Sequence, residues 1–244
     1  MKNTWTIARR ELRTFFDSLI AYILLAAFLL ISGFFTWIYG LLASDVFLSN
    51  QADMRTFFIH ALIAIFLFVP AITMRMIAEE RKNGTLETLL TRSVSDWQVV
   101  SGKFLAGLLL IVIALAFTFP YYFVIAWLGP VDHGAVWCGY LGLTLLSAAY
   151  LGIGLYISSL TDNQIVAFLL TLLVGMVFFI GFGVIGGNSG GLLGEVLNYL
   201  SMFTHYASFE RGVIDLRDTL YFVSIALLGL ILAEMQLSKR NIIS

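Results

Sequence analysis

Apolar residues run almost unbroken through most of this chain, and the polar ones gather in the gaps. Six runs can be read, at approximately 18–42, 57–77, 104–129, 135–158, 165–187 and 219–237. A helix needs roughly 20 residues to cross a hydrocarbon core of about 30 Å, and each run meets that length. Backbone amides in lipid must bond within their own segment, so runs of this length predict helices and not barrel strands. The expected fold class is an all-α polytopic membrane protein, with six transmembrane helices in a single domain over residues 1–244.

Shorter patterns fill the gaps. Trp5, Ala8, Leu12, Phe15 and Phe16 recur at three- and four-residue spacing, with Arg9, Arg10 and Arg13 on the other face. That pattern predicts an amphipathic interfacial helix over 1–17, its arginines toward anionic lipid; an ordinary basic flank that happens to be helical is the plainer alternative. In the connection at 78–96, Asn83-Gly84 predicts a helix end, because both residues tolerate the left-handed conformation. A short helix is expected to restart near Thr85, with Leu86, Leu89 and Leu90 on one face and Glu87, Thr88 and Thr91 on the others. Ser95 and Gln98 have the spacing of a capping box ahead of the third span. Pro70 and Pro120 predict kinks inside the second and third spans, as static packing features or as functional bends. Between the fifth and sixth spans, Leu192, Leu193, Val196, Leu197, Leu200 and Phe203 recur at helical spacing. Segment 188–218 is therefore expected to form re-entrant outer helices, with Asp215, Arg217 and Asp218 at the outer water boundary.

Composition agrees with the periodicity. Hydrophobic residues make up 60% of the chain and charged ones 12%, against roughly 45–50% and about 25% in an ordinary soluble domain. The charge is also one-sided. Eleven of the 14 Lys and Arg residues fall on one side of the alternating spans, leaving Arg55, Arg211 and Arg217 on the other. The excess of basic residues marks the cytoplasmic side, which places both termini and the 78–96 connection there. A net charge of −1 and the lack of basic clusters interleaved with aromatics give no sign of nucleic-acid binding. The N-terminus lacks a short apolar core followed by a cleavage site, so the first span is expected to be retained.

Candidate chemistry is sparse. The single cysteine, Cys138, allows no internal disulfide, and with His133 it falls short of the ligand count of a metal site. Gly102-Lys103 has Trp97 where a phosphate loop needs glycine and Phe104 where it needs Ser or Thr, so no nucleotide cofactor is expected on this chain. Gly187-Asn188-Ser189-Gly190 resembles a nucleophile turn of an intramembrane serine protease. The base it needs is not evident: His205 lies in the outer segment, His60 in the second span and His133 in an outer loop. An ion-coupled secondary transporter or channel would need ionisable groups inside the spans, and only His60 and Glu234 come near, Glu234 beside Lys239 and Arg240 at the inner end.

The remaining reading is coupled transport, in which the apolar stripe of the short 78–96 helix docks onto a partner. AEERKNGTLETLLTRSVSDWQVVSGKFLAG resembles the corresponding region of permease subunits of type-2 ABC exporters. The stretches LGIGLYISSLTDNQIVA, ending at Ala167, and FERGVIDLRD, ending at Asp218, look similar as well. Small permeases of the gliding-motility (GldF-type) and nitrous-oxide-reductase-maturation (NosY-type) patterns look nearest, the former more so. Ser93 stands where that family usually has proline, which loosens the turn.

The resemblance implies six helices, an amphipathic N-terminal helix, re-entrant outer helices and a dimer with itself or a sister permease. It implies that Glu79, Glu80, Arg81, Gly84, Thr85, Glu87, Leu89 and Leu90, together with Leu86 of the same stripe, form a coupling region received by a separate ATPase, which holds ATP and Mg. Such a complex either moves a cargo across the membrane or uses ATP to do mechanical work on an outer-side partner protein.

Overall fold

The computed structural model describes residues 2–38, 53–84 and 95–239, and these are helical with no strand among them. Six helical stretches are long and apolar enough to cross a membrane: Leu19–Trp37, Arg55–Lys82, Asp96–Leu128, His133–Leu160, Gln164–Asn188 and Leu216–Ser238. The chain is thus a multi-pass membrane protein. Connections centred on 45 and 90 fall outside the described residues, and with them Thr85, Leu86, Glu87, Leu89, Leu90 and Ser93.

Helix α1 (Lys2–Asp17) precedes the first span, α2 (Leu19–Trp37). The second span is α3 (Arg55–Met76) followed, after a break at Ile77, by α4 (Ala78–Lys82). The third is α5 (Asp96–Ala116) and α6 (Phe119–Leu128). The fourth is α7 (His133–Leu160), the longest helix at 28 residues. The fifth is α8 (Gln164–Met176), a π-helical segment (Val177–Gly181) and α9 (Phe182–Asn188). Two short helices, α10 (Gly191–Leu200) and α11 (Met202–Glu210), lead to the last span, α12 (Leu216–Ser238).

Helix α7 is the centre of the bundle. α3 packs on one side of it and α12 on another. The α7–α12 contact is close because its seam is glycine: a Cβ on Gly229 would overlap the backbone of Gly152, and one on Gly152 would lie 2.8 Å from the Ala226 carbonyl. Lipid tails are as apolar as leucine, so helices in a membrane gain from this close approach and not from burying grease. On the other side, Thr73 of α3 fills the space that Gly154 leaves.

Two of the chain's three prolines, Pro70 and Pro120, lie within spans. Pro120 occupies the first turn of α6, after the third span breaks at Phe117–Thr118, where its missing N–H costs nothing. The Thr118 hydroxyl donates to the Leu115 carbonyl and lies 3.0 Å from Tyr140 Oη. Pro70 lies inside α3, so the Phe66 carbonyl four residues back loses its amide partner.

One expectation from periodicity needs correcting in detail. The third span begins at Asp96, not near 104, because the Ser95–Gln98 capping box starts the helix two turns earlier. Lys103 is consequently not in the connection but inside α5, and fully buried. Of the three residues expected to mark the outer water boundary, Asp215 and Arg217 are exposed, while Asp218 is buried between α11 and α12. Leu192, Leu193, Val196 and Phe203 lie on the exposed surface, so the apolar stripe of α10–α11 faces away from this chain's own core.

Candidate functional site

Helices α1, α4 and α5 and the end of α7 meet at the end of the bundle that carries most of the charge. The break at Ile77 (φ −121°, ψ −42°) leaves the second span's last amides without helical acceptors. Ser158 of α7 receives them: its Oγ accepts from the Ile77 N–H at 3.3 Å and from the Ala78 N–H at 3.1 Å. One turn on, Arg81 Nη1 donates to the Ser159 carbonyl at 2.8 Å. Two sequence stretches some eighty residues apart therefore converge on one joint. After α7, the start of α8 is capped, the Asn163 side chain accepting from the Ile165 amide at 2.9 Å.

Beside this joint lies a cluster of charges. Lys103 Nζ approaches Glu80 Oε1 at 2.8 Å and Glu11 Oε2 at 3.4 Å. Arg10 Nη2 lies 3.0 Å from Glu11 and 3.9 Å from Glu80. Arg75 grips Glu79 through both carboxylate oxygens, at 2.7 and 3.0 Å. A fully buried ammonium is sustained only when paired, and here two carboxylates from two other helices pair it. These side chains surround a cavity of about 290 Å³ that opens between α1 and the end of α3.

Helix α1 is held to α5 by packing as well as charge. Ile7, Ala8 and Phe15 are buried, and a Cβ on Gly102 would lie 2.7 Å from Ile7 Cγ2. Trp5 and the Arg9, Arg10 and Arg13 side chains are exposed. At the same end, Ser238 of α12 donates to Asp96 Oδ2 at 2.9 Å, and Asn3 reaches Gln98 at 3.5 Å.

Of the nine residues assigned to coupling, Glu79, Glu80, Arg81 and Gly84 are described. The first three are partnered as above, and Gly84 has φ +67°, the left-handed turn expected at a helix end. Glu11, Ser158 and Ser159 were missed by the sequence reading. Glu11 is flanked by arginines and looks like one more surface charge, but it sits three residues after Ala8 and four before Phe15. That spacing puts it on the packed face.

At the opposite end, α10, α11 and α12 share a second polar knot. His205 Nδ1 lies 2.7 Å from Asp218 Oδ1, and Nε2 lies 2.7 Å from the Tyr199 carbonyl. Ser208 donates to the other Asp218 oxygen, and Tyr221 stacks on the imidazole at 3.9 Å. Both ring nitrogens thus face oxygens within this knot, and among the described hydrogen bonds none links His205 to Ser189.

The fold is that of a multi-pass membrane protein, a six-helix bundle with a break in its second span braced by the end of its fourth. The chain matches the sequence profile of the ABC-2 family transporter proteins over residues 45–233. It belongs to that family, and so is a transmembrane subunit of an ABC transporter. No curated protein matches the chain.

Proposed function

We propose that this subunit is the permease of an export-type ABC transporter. Residues 78–96 form its coupling region, and a separate ATPase binds there and supplies ATP and Mg. The observation that carries the reading is the double tie of the second span's end, through Glu80 to Lys103 and Glu11 and through Ile77, Ala78 and Arg81 to Ser158 and Ser159. A displacement imposed at α4 is thereby delivered to α1, α5 and α7 together. ATP shifts the bundle only if the ATPase binds it more tightly in one arrangement of the spans than in another.

In this reading the charged end is cytoplasmic, α1 lies in the headgroup plane of the inner membrane, and 188–218 is the re-entrant outer segment. The exposed apolar stripe of α10–α11 then meets lipid or a second permease, a copy or a sister chain. The second and fifth spans line the path between the two subunits, and the subfamily is that of the gliding-motility type. Mild-detergent purification from native membranes tests the central claim: an intact complex carries an ABC ATPase, and its reproducible absence refutes the reading. Leu89→Asp combined with Leu90→Asp inserts normally but loses the ATPase, whereas retained binding would move the docking face elsewhere.

A further inference from the structure

Tyr150 lies in the middle of α7, fully buried, between the second and fifth spans. Its hydroxyl has two acceptors on two different helices: the Thr171 carbonyl of α8 at 3.1 Å and the Phe66 carbonyl of α3 at 3.4 Å. Both distances exceed the roughly 2.7–2.8 Å usual for an O–H···O bond. A phenol carries one proton, so it donates fully to one carbonyl at a time.

Sequence features on both sides prepare this position. The Phe66 carbonyl is the one that Pro70, lacking an N–H, leaves unsatisfied, so an acceptor is exposed where a regular helix would have none. Opposite, a Cβ on Gly175 would overlap the Tyr150 hydroxyl, so only glycine lets the phenol reach the fifth span. Phe66 and Phe179 enclose the ring, with centroids 6.3 and 5.3 Å away. Phe179 belongs to the π-helical segment Val177–Gly181, a local break in helical register of the kind frequent at functional sites.

We propose that Tyr150 is a proton-donor toggle. Its hydroxyl bonds either Thr171 of the fifth span or Phe66 of the second, and the choice sets how closely each span packs on α7. The two states differ by the exchange of one hydrogen bond for another, so they are near in energy and a modest push at α4 selects between them. That these spans line a transport path rests on the proposed function; the toggle itself is a property of the bundle.

The test measures distance, so it does not depend on transport. Spin labels at Arg55→Cys and Ile185→Cys, in a Cys138→Ala background in lipid nanodiscs, report the separation of the second and fifth spans. Two populations are expected. Pro70→Ala restores an amide to the Phe66 carbonyl and favours the Thr171 state; Gly175→Ala drives the hydroxyl toward Phe66 and favours the other. Each changes the population ratio by about three- to tenfold, the size a single such hydrogen bond supports, and in opposite directions.

Tyr150→Phe keeps the ring and removes the proton, so in its background the opposing responses shrink toward none. Responses of undiminished size without the hydroxyl, or shifts in the same direction, would overturn the toggle while leaving the transporter assignment standing. Should Gly175→Ala fail to fold, the Pro70→Ala and Tyr150→Phe pair closes the same cycle alone.

Discussion

Lys103 and Glu80, twenty-three positions apart in the chain, meet at 2.8 Å where the third span passes the end of the second. Lys103 is wholly buried and its side chain has Glu11 on the other flank. Removing one member of a buried pair strands the other charge, at a cost of about 3–5 kcal/mol. Lys103→Met is expected to lower detergent-phase thermal stability markedly. Glu80→Gln in the Lys103→Met background recovers part of the loss, because Glu11 still has Arg10. Two losses that simply add would show that the pair is not coupled.

The glycine seam between α7 and α12 makes a sharper claim. Gly229→Ala forces apart two backbones that now touch, and is expected to cost more than about 2 kcal/mol, in the range of overpacked cores. Gly187, in α9, has open space where a Cβ would go, with nothing within 4 Å, so Gly187→Ala gains about 0.5–1 kcal/mol of helix propensity instead. Equal effects of the two substitutions on unfolding would contradict the seam.

How much of this was legible beforehand divides along physical lines. The spans, the stop at Asn83-Gly84 and the capping box at Ser95 were readable because each follows from local chemistry: hydropathy, φ freedom and a three-residue spacing. Lys103 was misplaced because hydropathy starts a span at its first apolar run, whereas the helix starts at its cap. Partners were harder still. Ser158 reads as an ordinary polar exit from a helix until the break at Ile77 is seen to present it with two amides. His205 and Asp218, thirteen residues apart, pair only because α11 folds back on α12, and no periodicity encodes that return. The docking stripe Leu86, Leu89 and Leu90 falls outside the described residues, so its role rests on pattern and resemblance.

Glu210, at the end of α11, carries a pH signature. Burial raises its carboxyl above the ordinary value and Asp53 adds to the rise, while Arg55 and Arg211 oppose it. A carboxyl whose folded pKa is raised favours folding while protonated, and that contribution fades as pH climbs through the raised value. Stability is therefore expected to fall between mildly acidic and neutral pH. Glu210→Gln, a permanent stand-in for the protonated acid, flattens that slope and melts higher than the native chain at neutral pH. An unchanged slope across thermal melts would rule out Glu210 as its source.

Ser158 offers the most direct view of the joint beneath the proposed coupling region. Its hydroxyl oxygen accepts two buried amides, from Ile77 and Ala78, and Ser158→Ala leaves both without an acceptor. An unsatisfied buried donor costs about 1–3 kcal/mol, but the loss is local, since the hydroxyl's contacts across the helices are to the Ile77 and Ala78 amides. The expected result is faster hydrogen exchange confined to 77–82, with α7 and α12 protected as before. Ser158→Thr keeps the acceptor and restores slow exchange if the bond is the cause. If α4 is instead held only by its ion pairs, Ser158→Ala leaves exchange unchanged, and Glu80→Gln alone loosens the segment. A joint of this kind has to be firm enough to transmit a push and local enough to move without unfolding the bundle. Two amides on one serine, beside one buried lysine, meet both conditions.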